Sequence, residues 1–213
     1  MYQQHSIDPL TSSIKRLSDV ILAITGLLLT LPLFPLIAFA IKLESPGPVF
    51  FRQLRIGKAS PDRIELFEMI KFRTMINDAE RLTGATWAKK NDSRITKVGL
   101  FLRKTRLDEL PQLLNVLNNE MSMIGPRPER PGFYMSLEKN IPFFAERTYG
   151  VNPGITGLAQ VNQGYDTCIE DARAKVGYDH RYALALSNPL SWLKMDLAIL
   201  FRTIIVMLLG RGQ

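Results

Sequence analysis

Residues 20–41 read VILAITGLLLTLPLFPLIAFAI, an uncharged run that restricts the fold more than any other stretch of the chain. As one straight helix it would be about as long as a bilayer core is thick. Three readings compete. A secretory signal is suggested by Lys15 and Arg16 before the run and by the small residues Ala38 and Ala40, but the run exceeds the usual apolar region and Asp19 abuts it. A transmembrane helix meets a symmetry problem, because Lys15 and Arg16 flank one end and Lys42, Arg52 and Arg55 the other. Basic residues at both ends suit two cytoplasmic ends. The third reading rests on Pro32 and Pro35, which break or sharply kink a helix. Each arm is then roughly 12 residues, about 18 Å, long enough to enter a bilayer and return. A re-entrant helix–break–helix is preferred, with the Thr30 hydroxyl available to carbonyls freed at the kink.

Composition narrows the partners. The 213 residues suit one domain with appendages, and 27 Lys and Arg against 20 Asp and Glu leave a formal charge of +7. That balance favours an acidic partner: nucleic acid, an anionic membrane surface or a phosphorylated substrate. The single cysteine, Cys168, rules out a disulfide framework and a thiolate metal cluster, and His5 and His180 are too far apart in sequence to suggest zinc. There is no internal repeat, phosphate-loop lysine pattern or dinucleotide fingerprint.

After the apolar run, a turn at Pro46 and Gly47 leads into a strand expected over residues 49–56; polar KASPDR then forms a loop, and IELFEMIKFRTM forms the pairing strand. Residues 78–96 read as loop and partial helix, and Ile95, Val98, Phe101 and Leu102 share a helical face. MSMIGPRPERPGF is too rich in proline for a helix or central strand. It holds Arg127 between two prolines, a cheap way to present a guanidinium to phosphate, with a structural ion pair as the equal alternative. The glycine-punctuated segment with Gly154, Gly157 and Gly164 is better explained by turns than by a phosphate cradle. Residues 190–209, with Trp192 near the start and Arg211 beyond the end, suit an interfacial helix, because Lys194, Asp196 and Arg202 count against a span.

RKTRLDELPQLLNVL places Asp108 and Glu109 inside a leucine-rich helical pattern. Pro111 is tolerated only in a first turn, so the helix is expected to start near Asp108, with Asp108 at or beside the N-cap and Glu109 in the first turn. Taken alone, the two acids need be no more than a cap and a dipole complement.

In series, KRLSDV, SPGPVFFRQLRIG, KFRTM, RKTRLDELPQLLNVL, MSMIGPRPE and PGITGLAQVN resemble the bacterial sugar transferases, small monotopic phosphoglycosyl transferases, from about Lys15 to Arg211. The chain resembles the short catalytic form without extra membrane helices, and LLGRGQ and WAKKNDSRIT resemble members from exopolysaccharide clusters. The resemblance implies that Asp108 and Glu109 form the catalytic dyad. Asp108 would attack the β-phosphorus of a UDP-sugar, expel UMP and hand the phosphosugar to undecaprenyl phosphate. It further implies Mg²⁺ on Asp108 and Glu109, with Glu109 holding metal or assisting deprotonation. Lys71, Arg73 and Arg127 match positions near the phosphates, and Asp179 and Asp196 match two further aspartates. One departure stands out: some members place an arginine directly after AQVNG, whereas this chain reads AQVNQGYDT.

The expected fold is therefore membrane-associated α+β. Residues 1–19 form a cytoplasmic or interfacial segment and 20–43 a re-entrant helix pair; 44–213 form a mostly helical catalytic domain with a small β-hairpin and the interfacial helix 190–209. The expected setting is the cytoplasmic face of the bacterial inner membrane, with membrane lipid, donor and acceptor as partners. Oligomeric state stays open, a homodimer being the commonest assembly. A non-catalytic adaptor binding anionic lipid is the rival reading. A nucleic-acid binder ranks last, because the basic residues are scattered.

Overall fold

The computed structural model describes residues 7–77, 79, 92–163 and 168–208. Most of the loop and partial helix expected over residues 78–96, residues 164–167 of the AQVNQGYDT departure, and the tail carrying Arg211 lie outside them. The described residues form an α+β fold, with helices dominating two small sheets.

Helix α1 (Pro9–Thr30) starts at Asp8, whose carboxylate accepts the Thr11 N–H at 2.7 Å, and runs unbroken through Asp19. Residues 9–19 of the segment expected before residue 20 are thus one helix with the first apolar arm. Pro32 has no N–H to continue it; after Leu31 the chain bends by 63° into α2 (Leu33–Glu44). Thr30 donates to the Gly26 carbonyl at 2.7 Å, and Phe34 N–H takes up the Leu31 carbonyl at 3.1 Å. Among the described residues no single helix is long and apolar enough to cross a membrane; the bent pair passes that test together. Leu28, Leu29, Leu36, Phe39 and Leu43 lie exposed along the pair.

The polar first half of α1 is fastened to the core. Arg16 donates to the Val116 and Leu117 carbonyls at 2.6 and 2.8 Å, closing the end of α4 (Gln112–Leu117). Asp19 accepts the Met123 N–H at 2.9 Å. Ala23 is fully buried against Phe67, Met69, Leu113 and Val116.

Strands β1 (Phe50–Ser60) and β2 (Arg63–Phe72) form the expected antiparallel hairpin. Strand β1 runs four residues past the expected end, through a register shift between Ile56 and Ala59, because Ala59 finds a second partner: its carbonyl accepts Gly150 N–H at 3.0 Å. Helix α3 (Lys97–Thr105) starts on Thr96, leaving Ile95 outside; Leu102 is buried and Phe101 exposed.

Strands β3 (Ser122–Ile124) and β4 (Gly154–Thr156) pair in parallel. The glycines here allow two backbones to cross: a Cβ on Gly154 would lie 2.0 Å from Gly125 N, and one on Gly125 would lie 2.3 Å from the Asn152 carbonyl. Helices α5 (Pro131–Asn140), α6 (Leu158–Asn162), α7 (Ile169–Ala185) and α8 (Pro189–Leu208) complete the fold.

Helix α8 has two apolar faces. Trp192 and Ile199 are buried against Ile124, Tyr182 and Leu186, whereas Leu190, Leu193, Leu197, Phe201 and Ile204 form an exposed stripe at helical spacing. Trp192 therefore does not serve as an exposed interfacial anchor; its indole N–H donates to Asp196 at 2.7 Å.

Candidate active site

The expected helix start at Asp108 is corrected by the chain path. Arg106 adopts a left-handed conformation (φ 58°), costing about 1–2 kcal/mol for a residue with a Cβ. It ends α3 and turns the chain into a separate 3-10 turn, Leu107–Glu109. Pro111 stands just outside α4 at φ −62°, so the acids lie between two helices rather than on an N-cap. Both are buried, at 6 and 7% exposure.

Three cations converge on Glu109 Oε1: Lys71 Nζ from the end of β2 at 2.7 Å, Arg106 at 3.6 Å and Arg127 at 3.8 Å. Burial alone would raise the Glu109 pKa, but Lys71, Arg127 and Arg106 overcome it and hold the carboxyl down at about 2. Burial also lowers the Lys71 pKa, with Glu109 opposing that pull. The short contact fixes Glu109 as the carboxylate of this pair.

Asp108 differs. Its Oδ1 is buried without a hydrogen-bond partner. Burial raises its pKa to about 6, with Lys71 opposing and Glu109 reinforcing the rise. Two adjacent carboxyls are thus driven apart: one tied down in ion pairs, the other poised near neutrality with an uncommitted oxygen. Such divergence is what acid, base or nucleophile assignments rest on.

The other expected site residues separate into three places. Arg127 joins the cluster. Arg73 does not: its guanidinium donates to the Ser45 carbonyl at 2.7 Å and to the Pro46 carbonyl, closing the turn after α2. Asp179 lies behind Arg127, paired with Arg147 at 2.8 Å. Arg147, Glu129, Lys175, Asp179, Phe144 and Arg127 help line a cavity of about 10 Å³, room for about one water. Asp196 sits between α1 and α8, accepting from Trp192 and lying 3.5 Å from Lys15. Sequence reasoning missed Arg147, Glu129, Arg106 as a Glu109 partner, and the Lys15 contact. Only Arg106 carried a local signal, three residues before Glu109.

No group of three or more His, Cys, Asp or Glu side chains suited to a metal occurs among the described residues. A site completed by substrate oxygens needs fewer. Mg²⁺ is often held by one or two carboxylates together with phosphates, and the unpartnered Asp108 oxygen beside Glu109 fits that demand.

Fold and site together define a class: a basic α+β protein with a bent apolar helix pair, whose paired carboxyls lie under a cluster of cations. Residues 10–210 match the family model for bacterial sugar transferases, and the chain belongs to that family. The UDP-N-acetylgalactosamine-undecaprenyl-phosphate N-acetylgalactosaminephosphotransferase of Aeromonas hydrophila is 44% identical over 204 residues. The match covers 96% of this chain and 46% of that protein. The UDP-glucose:undecaprenyl-phosphate glucose-1-phosphate transferase of Xanthomonas campestris pv. campestris is 42% identical over 87% of this chain and 37% of its own length. The exopolysaccharide production protein PSS of Rhizobium leguminosarum bv. phaseoli is 38% identical, covering 90% of this chain and 94% of that protein. This chain therefore spans less than half of the first two relatives and nearly all of the third.

Proposed function

We propose that this protein transfers sugar 1-phosphate from a UDP-sugar to undecaprenyl phosphate at a membrane surface, through a phosphosugar carried on Asp108. The observation that carries the reading is the buried, unpartnered Asp108 oxygen with a pKa raised to about 6, adjacent to Glu109 and the cations Lys71, Arg106 and Arg127 that Glu109 gathers. The names of the Aeromonas and Xanthomonas relatives supply the substrate class. The Rhizobium relative supports a role in starting exopolysaccharide or related glycoconjugate synthesis.

In the first step an Asp108 carboxylate oxygen bonds to the β-phosphorus, the bridging P–O bond breaks, and UMP departs with that electron pair. In the second, an oxygen of the acceptor phosphate bonds to the same phosphorus and the Asp108 carboxylate leaves, giving a polyprenyl diphosphosugar. Phosphoryl transfer requires positioning and charge neutralisation, which Lys71, Arg106 and Arg127 supply while Glu109 fixes their arrangement. Mg²⁺ on Asp108 and Glu109 would neutralise diphosphate charge when bound.

Membrane docking completes the reading. The bent α1–α2 pair exposes leucines on both arms, and α8 exposes an apolar stripe. Immersed as a re-entrant wedge with α8 in the interface, these surfaces would hold the dyad near the headgroups, where the acceptor phosphate lies. The test is UMP release from a panel of UDP-sugars in detergent with Mg²⁺ and undecaprenyl phosphate. Activity with one donor, lost in Asp108→Asn, is the expected result. Full turnover by that variant would refute the nucleophile, and no release from any donor would favour the lipid-binding adaptor.

A further inference from the structure

The loop that presents Arg127 is short of backbone donors, because Pro126 and Pro128 on either side of it lack N–H groups. Its carbonyls are instead fastened one by one from distant elements. Pro126 accepts Gly154 N–H at 2.8 Å, and Glu129 accepts Ile56 N–H at 2.8 Å. Pro128 accepts the Arg55 guanidinium at 2.9 Å. Arg127 itself accepts Arg147 Nη2 at 3.3 Å.

Arg147 is buried and held through both of its terminal nitrogens. It lies in the 3-10 turn Ala145–Thr148 and is 4% exposed. Its Nη1 donates to Asp179 on α7 at 2.8 Å, its Nη2 lies 3.7 Å from Glu129, and its guanidinium stacks 4.5 Å from the Phe144 ring centre. A planar fork can span Asp179 and the Arg127 carbonyl together; a lysine ammonium cannot serve both in that geometry.

We propose that Arg147 is a positioning residue: braced by Asp179 and Glu129, it grips the Arg127 carbonyl and sets where the Arg127 guanidinium meets the dyad. The inference deepens the transferase reading and rests on it for its kinetic consequence. It also gives Asp179 a task that needs no contact with substrate. A misplacement of about 1 Å at a reacting site costs on the order of 100-fold in rate, so Arg147→Met is expected to lower UMP release about 10- to 100-fold. Because Arg147 acts through Arg127, the double variant Arg127→Ala/Arg147→Met should be no slower than Arg127→Ala alone, within about twofold.

The experiment pairs that double-mutant cycle with amide hydrogen exchange on the full-length protein in nanodiscs. Arg147→Lys, which keeps the charge, serves as a second variant should Arg147→Met fold poorly. Faster exchange confined to peptides spanning residues 125–133, with α1–α2 exchange unchanged, is the expected pattern for either variant. Unchanged loop exchange, or losses that multiply in the cycle, would overturn the proposal. A wild-type protein that releases no UMP would sink the transferase reading instead, and the exchange pattern would still decide the role of Arg147.

Discussion

Replacing Asp108 by asparagine is expected to abolish turnover and yet stabilise the protein above neutral pH. Burial raises the Asp108 pKa from the ordinary 3.8 to about 6. At 1.36 kcal/mol per pKa unit, that rise amounts to about 3 kcal/mol of folding free energy. The folded pKa lies above the unfolded one, so the protonated form is the stabilising one. That stability is fully present below about pH 4 and is lost as pH rises through about 6. The asparagine amide does not ionise in this range and escapes the loss. Asp108→Asn should therefore match wild type near pH 4 and exceed it by up to about 3 kcal/mol at pH 8, a gain of several degrees in Tm for a chain of this size. Thermal unfolding of both proteins in one detergent, from pH 4 to 8, checks this. A gap that is absent at pH 8, or that stays constant across the range, would refute the claim that burial strains an ionised Asp108.

The same carboxyl sets the acid limb of activity: kcat/KM for UMP release should fall about tenfold per pH unit below about 6. Lys71→Met removes a cation that lowers the pKa of both acids, so the limb should move to higher pH while activity drops at least about tenfold. Arg73→Ala should cost about 1–3 kcal/mol of stability by orphaning two carbonyls, yet leave the KM for the donor unchanged; a large KM increase would place Arg73 at the phosphates after all. In a Cys168→Ser background, Ser13→Cys and Lys42→Cys should both react with an impermeant thiol reagent only from the cytoplasmic side of inverted or intact vesicles; periplasmic labelling of either would exclude a re-entrant wedge.

Local chemistry was legible in the sequence where local chemistry decides. Pro32 marks the break in the bent pair because a missing N–H beyond the first turn cannot continue a helix, whereas Pro35 is accommodated in the first turn of α2. The aromatic and β-branched residues of β1 and β2 announced the hairpin. The adjacent acids in their basic, leucine-rich stretch read alone as a cap and a dipole complement, and only the family motifs in series gave them their proposed catalytic role. What stayed hidden depends on tertiary contacts. No propensity places Arg106 in the left-handed region, so the 3-10 turn that lifts Asp108 and Glu109 off the following helix could not be read. Arg73 stands two residues from Lys71, yet one closes the turn after α2 and the other grips Glu109, because β2 ends between them. Arg147 is 20 residues from Arg127 and 32 from Asp179, and only the folded chain joins the three.

The most direct test of the covalent reading is intact-mass analysis of the protein quenched in acid after incubation with donor and Mg²⁺ but no acceptor. The expected spectrum shows one added sugar phosphate, localised to the peptide containing Asp108, discharged on adding undecaprenyl phosphate and absent in Asp108→Asn. An active wild-type protein that never gains that mass, and that releases UMP only when acceptor is present, would contradict it.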